Sequence, residues 1–123
     1  MEKTILIVDD DEMSLHMAEF MLRKKTYQTI SANSGEECLA ALRKGKPDLI
    51  LLDIEMPGMN GIETAERLRA AEETEKLPVI FLSGDKNPET EAAAWKAGAA
   101  GFIRKPFRPQ ELWAAVELLL SRF

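Results

Sequence analysis

The 123-residue chain has single-domain length, 46% apolar residues and a formal charge of −5, values ordinary for one globular core and contrary to general electrostatic binding of nucleic acid. No stretch approaches the roughly 20 apolar residues of a membrane span, and Met1-Glu2-Lys3 leads into a strand-like segment rather than a secretory signal, so a cytoplasmic protein without membrane contact is expected. Cys38 is the only cysteine, which excludes an intrachain disulfide, and its setting beside Leu39 and Leu42 makes it a small buried hydrophobe rather than an activated thiol.

Along the chain, short runs rich in Ile, Leu and Val alternate five times with segments of helical periodicity, with no linker or repeat between them. The runs are Thr4 to Val8, Gln28 to Ser31, Asp48 to Leu52, Val79 to Leu82 and Gly101 to Ile103. Three of them are nearly continuous hydrophobics, as strands covered by helices on both faces require. Helix starts are marked by Ser34 with Glu37 and by Asn60 with Glu63, both capping-box patterns. Asn87 before Pro88 and Arg108 before Pro109 put proline at a first helical position, where its missing N–H is not needed. The expected fold is α/β: five strands and five helices, joined by right-handed crossovers into a doubly wound parallel sheet in a three-layer sandwich. Such sheets bind ligands outside the carboxyl ends of their strands, where strand order reverses.

Those ends carry the chemistry. Asp9-Asp10-Asp11 follows the first run, Asp53 the third, Ser83-Gly84-Asp85 the fourth and Lys105-Pro106 the fifth. Taken singly, an Asp after a strand is often a helix cap, a Ser a turn residue and a Lys a solvated charge. Their convergence at one edge favours a site. Two carboxylates 4 Å apart repel by about 4 kcal/mol at an effective dielectric of about 20, so Asp9, Asp10 and Asp53 call for a divalent cation. Oxygen ligands suit Mg²⁺, or Mn²⁺, better than softer metals. A carboxylate nucleophile at Asp53, a charge-neutralising metal and donors from Ser83 and Lys105 are the parts of phosphoryl transfer.

At these residues the sequence resembles the receiver domains of bacterial two-component response regulators, most closely the single-domain, chemotaxis-regulator-like kind. The blocks that carry the resemblance are Ile5-Leu6-Ile7-Val8-Asp9-Asp10, then Leu51 through Asp53-Ile54-Glu55-Met56-Pro57-Gly58-Met59-Asn60-Gly61, then Phe81-Leu82-Ser83-Gly84, and Ala97-Gly98-Ala99 through Lys105-Pro106-Phe107. The resemblance implies one receiver domain over residues 1–123, flavodoxin-like (βα)5, with strand order 2-1-3-4-5. It implies that Asp53 accepts a phosphoryl group from a sensor histidine kinase or histidine phosphotransfer protein, or from a small donor such as acetyl phosphate. Asp9, Asp10, Asp53 and the backbone carbonyl of Glu55 would hold Mg²⁺. Ser83 and Phe102 match the switch hydroxyl and switch aromatic, Lys105 matches the phosphate-pairing lysine, and the Lys105-Pro106 bond is expected to be cis. The domain would catalyse its own phosphorylation and dephosphorylation without acting on external substrates. Its output would be altered binding of an output protein, whose identity is open, through the face of the fourth helix, fifth strand and fifth helix.

Departures from the family pattern are Ser83 for a commoner threonine, Gly84 for alanine and Phe102 for tyrosine. Gly84 widens access to the phosphoryl group. Ala99-Ala100-Gly101 lacks the acidic pair that DNA-binding relatives use in an active dimer. The chain ends at Ser121-Arg122-Phe123, so a stand-alone regulator and an excised receiver are both open.

Two surfaces draw attention. On the fifth helix Leu112, Ala115, Val116, Leu119 and Phe123 form one apolar stripe, while Trp113 and Leu120 lie along its edge; Trp95, Phe102 and Trp113 are expected to form the output face. On the first helix, Met13, Leu15, Met17, Ala18, Phe20, Met21 and Leu22 exceed what one sheet face buries, so Met13, Met17 and Phe20 are expected to meet the phosphodonor. His16 reads as a solvated residue. A hydrolase using Asp53 with Glu55 two positions on is a rival, but short loops offer no substrate pocket. A flavin-binding domain is another, and three aspartates after the first strand would repel the flavin phosphate.

Overall fold

The computed structural model describes residues 2–121. Its elements are β1 (Thr4–Val8), α1 (Glu12–Arg23), β2 (Gln28–Ala32), α2 (Gly35–Lys44), β3 (Leu49–Asp53), α3 (Gly61–Ala70), β4 (Val79–Ser83), α4 (Pro88–Lys96), β5 (Gly101–Arg104) and α5 (Pro109–Leu120). The five strands form one sheet of order β2-β1-β3-β4-β5, with every pairing parallel. The expected α/β winding is therefore present, flavodoxin-like and with the expected strand order.

Side chains alternate across the sheet and split the core in two. Ile5, Ile7, Leu49, Leu51, Ile80 and Leu82 face α1 and α5, meeting Leu15, Ala18, Leu22, Leu112, Val116 and Leu119. Leu6, Val8, Ile50, Leu52, Val79 and Phe81 face the other way, with Cys38, Ala65, Leu68 and Ala94 of α2, α3 and α4. β3 and β4 are buried throughout, whereas edge strand β2 is largely exposed, which accounts for its polar sequence. Cys38 is fully buried, and burial pushes its thiol up to about 12.

Strand ends are where sequence and structure differ. β2, β4 and β5 each run one residue further than their apolar runs, and β3 is displaced by one, to Leu49–Asp53. Asp53 pairs with Leu82 and Ser83 with Arg104, so these polar residues are strand residues, held by the ladder rather than by a loop. Asp48 is left outside β3, where its carboxylate accepts from the Thr4 N–H at 2.7 Å.

Capping follows the sequence with one change. Asn60 and Glu63 make the reciprocal pair, and the Asn87 side chain caps α4 ahead of Pro88. Ser34 accepts from the Glu37 N–H, but the Glu37 carboxylate reaches back to Asn33, one residue beyond the box position. At α5 the Glu111 carboxylate accepts from the Arg108 N–H.

Two expectations for α5 are corrected. Leu120 is buried in the core between sheet, α1 and α5. Trp113 turns toward α1: its indole N–H donates to the Met21 carbonyl at 2.8 Å, and the Lys25 ammonium lies 4.7 Å from its ring centre. Phe123, assigned to the apolar stripe, lies outside the described residues.

Candidate functional site

The parallel sheet delivers the ends of β1, β3, β4 and β5 to one edge. Asp9 directly follows β1 and is buried; its N–H donates to the Ala32 carbonyl, and its Oδ1 accepts from the Asp11 N–H at 3.0 Å. Asp53, also buried, ends β3. Gly61 opens α3 directly against it, since a Cβ there would meet the backbone of Asp53 and Ile54. This close approach requires glycine at that point of the motif.

Lys105 reaches in from the end of β5, its Nζ 2.8 Å from Asp9 Oδ2 and 3.0 Å from Asp53 Oδ1. One carboxylate oxygen each from Asp9, Asp10 and Asp53 lies within 4.8 Å of the others, and Asp10 opens to solvent. A single ammonium among three acids leaves negative charge in excess. Burial pushes the Asp53 carboxyl up to about 7; the hydrogen bond and charge of Lys105 pull the other way, while Asp9 and Glu55 add to the rise. For Lys105, burial opposes the ammonium, but Asp9 and Asp53 outweigh it and its pKa is raised. Hard oxygen donors, excess negative charge and a solvent-facing Asp10 fit Mg²⁺.

Ser83, wholly buried at the end of β4, does not join this cluster. Its hydroxyl donates to Glu55 Oε2 at 2.7 Å, and Glu55 Oε1 accepts from the Gly84 N–H at 2.9 Å. Sequence reasoning gave Glu55 a backbone role, and no residue pattern signalled that its side chain would bind Ser83. Asp85, next along, turns away to accept from the Asn87 N–H and the Thr90 hydroxyl, and the Thr90 bond leads in lowering its pKa. A Cβ on Gly84 would meet nothing within 4 Å, so the approach past it is open.

Phe102 is half-buried on β5, with the Arg104 guanidinium 5.3 Å from its ring centre. Arg104 also pairs with Glu91 of α4 at 2.9 Å and donates to the Asp85 carbonyl at 2.7 Å. Trp95, 48% exposed, donates its indole N–H to the same Glu91. Trp95 and Phe102 thus share the α4–β5 face, from which Trp113 is absent. On α1, Met13, Met17 and Phe20 are 71%, 54% and 64% exposed. Beside them a cavity of about 300 Å³, lined by Met17, Met21, Leu82, Lys105 and Phe107, runs up to the acid cluster. His16 is exposed, as expected.

The profile of the response regulator receiver domain matches residues 5–117. The chain belongs to this family. MtrA of Mycobacterium tuberculosis, a DNA-binding response regulator, is 37% identical over 122 residues, covering 99% of this chain and 52% of that protein. The phosphate regulon transcriptional regulatory protein PhoB of Pseudomonas aeruginosa is 38% identical over 120 residues, covering 98% and 52%. The chain therefore spans about half the length of these curated relatives. Among solved structures, a response regulator from Chloroflexus aurantiacus superposes with a TM-score of 0.94 at 36% identity, covering 98% of this chain and 99% of that one. The chemotaxis protein CheY4 of Vibrio cholerae superposes at 0.91 with 28% identity, covering 97% and 99%. Receiver domains act as phosphorylation-dependent switches in two-component signalling, work with a histidine kinase and generally bind Mg²⁺ at an acidic pocket. No helix among the described residues is long and apolar enough to cross a membrane.

Proposed function

We propose that residues 1–123 act as one receiver domain in which Asp53 is the phosphoryl acceptor. The observation that carries this reading is Lys105 bridging Asp9 and Asp53 beside Asp10, at the one edge where four strand ends meet. An Asp53 carboxylate oxygen attacks the phosphorus of a phosphohistidine in line; the O–P bond forms, the P–N bond breaks and the histidine nitrogen leaves with the bonding pair. Bound by the carboxylates of Asp9, Asp10 and Asp53 and the Glu55 carbonyl, Mg²⁺ or Mn²⁺ would neutralise charge on the transferring group. Lys105 stays paired with the new phosphate, and Ser83 swings to donate to it, leaving space for Phe102 to turn inward. The α4–β5–α5 face then changes its affinity for an output protein. Dephosphorylation is attack by water, for which the open side at Gly84 gives room.

The donor is a sensor histidine kinase or histidine phosphotransfer protein, docking on Met13, Met17 and Phe20 next to the cavity that leads to Lys105. Acetyl phosphate serves as a small substitute. The domain acts on no external substrate, and its charge of −5 gives it no direct role with nucleic acid. A cytoplasmic location follows from the kinase partner. Intact mass after incubation with acetyl phosphate and Mg²⁺ tests the assignment. A single phosphoryl adduct, absent in Asp53→Asn and with chelator, is expected; an adduct that survives Asp53→Asn would overturn it.

A further inference from the structure

We infer that the Glu55 side chain is an off-state latch, which occupies the two hydrogen-bond donors at the end of β4 and must release them before Ser83 can serve a phosphorylated Asp53. The inference rests on the reading of Asp53 as acceptor. Glu55 stands in the loop after β3, exposed to solvent, yet both its carboxylate oxygens are engaged: Oε2 by the Ser83 hydroxyl at 2.7 Å and Oε1 by the Gly84 N–H at 2.9 Å. Ser83 itself is wholly buried, so no solvent competes for its hydroxyl. The Asp85 N–H donates to the same Oγ at 3.0 Å, fixing the hydroxyl from its acceptor side as well.

A serine hydroxyl has one proton to give. Given to Glu55, it cannot also be given to a phosphoryl oxygen, so the two partners exclude each other. The carboxylate presents two anionic oxygens to adjacent donors, as a phosphoryl group would, and both bonds are charge-assisted. Glu55 is thus an internal surrogate for the phosphate, committing the Ser83 hydroxyl proton to itself rather than to the Asp53 side of the site. Phosphorylation places about two negative charges on the residue two positions before it, which repels the Glu55 carboxylate and frees the donors. Any ligand that needs the freed state binds with an apparent dissociation constant equal to the intrinsic one divided by the fraction of molecules that are unlatched.

Beryllofluoride, a phosphoryl analogue, tests this in saturating Mg²⁺, with binding followed by amide NMR for wild type, Glu55→Ala, Ser83→Ala and the double variant. Before any ligand is added, Glu55→Ala should move the Gly84 amide proton upfield, because that amide loses its carboxylate. Affinity for beryllofluoride should rise about tenfold in Glu55→Ala, and the gain should fall to about threefold or less when Ser83 is already alanine. An equal gain in both backgrounds means simple charge repulsion and overturns the latch, as does an unmoved Gly84 amide or an unchanged affinity in Glu55→Ala. If wild type binds no beryllofluoride and takes no phosphoryl group from acetyl phosphate, the acceptor assignment fails instead, and the latch loses its role with it.

Discussion

In the metal-free protein, Asp53→Asn should raise stability, and by an amount that grows with pH. Burial holds the Asp53 carboxyl near 7 in the folded protein against an ordinary 3.8. Between these values the folded protein keeps a proton that the unfolded chain releases, so stability falls as pH rises from about 4 and levels off once pH passes the folded value. The full difference corresponds to about 4 kcal/mol. Relaxation around the site trims it, and because more than a third of the loss is already complete at pH 5, about 1.5–2.5 kcal/mol is expected between pH 5 and pH 8. Asparagine cannot ionise, so the advantage of Asp53→Asn over wild type should already be present at pH 5 and grow by that amount toward pH 8. Asp11 and Asp85 have lowered pKa values, so their effect on stability varies below about pH 4, outside this window. Urea denaturation with chelator at pH 5, 6, 7 and 8 measures the difference directly. A flat difference, or one that shrinks as pH rises, would refute the reasoning and place Lys105 above burial in setting the charge on Asp53. Added Mg²⁺ should reverse the trend, stabilising wild type more at pH 8 than at pH 5, because the metal competes with the proton.

Asp10→Asn should modestly raise the metal-free melting temperature by removing one repelling carboxylate and should abolish stabilisation by Mg²⁺; thermal melts with and without the ion check both. Lys105→Met leaves Asp9 and Asp53 buried without their ammonium, so stability at pH 8 should drop by about 2–4 kcal/mol and recover partly toward pH 5, read by the same urea titrations. Arg69 donates to the carbonyls of Thr74, Glu75, Leu77 and Gly98, tying the α3–β4 connection to the end of α4. Arg69→Met should lower stability by about 2–3 kcal/mol in denaturant, with autophosphorylation retained under native conditions.

The winding was legible because its signals are local and redundant: continuous apolar runs for β1, β3 and β4, and a polar side chain ahead of most helices. Strand ends were not, since Asp53, Ser83 and Arg104 read as loop residues by polarity while their backbones pair with neighbouring strands. Asp9, Asp10, Asp53 and Lys105 could be brought together from strand ends alone, because a parallel winding delivers those ends to one edge. Glu55 could not, as its side chain depends on the path of an irregular loop. Trp113 shows a different limit. At the margin of an apolar stripe it can face either neighbour, and the deciding feature is the end of α1. There the carbonyls of Phe20, Leu22 and Arg23 accept backbone N–H groups from the following turn, and that of Met21 takes the indole of Trp113. A helix leaves its last carbonyls without intrahelical partners, but which one a distant side chain fills is a tertiary matter.

The β4–α4 loop joins these parts through one residue. The Asp85 N–H donates to the Ser83 hydroxyl, its carbonyl accepts from Arg104, and its carboxylate accepts from Asn87 and Thr90 at the start of α4. Arg104 in turn lies over Phe102 and pairs with Glu91, which holds the Trp95 indole. Ser83 therefore cannot leave Glu55 and pull Asp85 with it without disturbing the α4 cap or the Arg104 contact. Each consequence falls on the same face: the first shifts the start of α4, and the second uncovers the ring of Phe102. A displacement about the length of one hydrogen bond at the end of β4 thus reaches the exposed Trp95 surface through direct contacts, with no intervening stretch of repacked core.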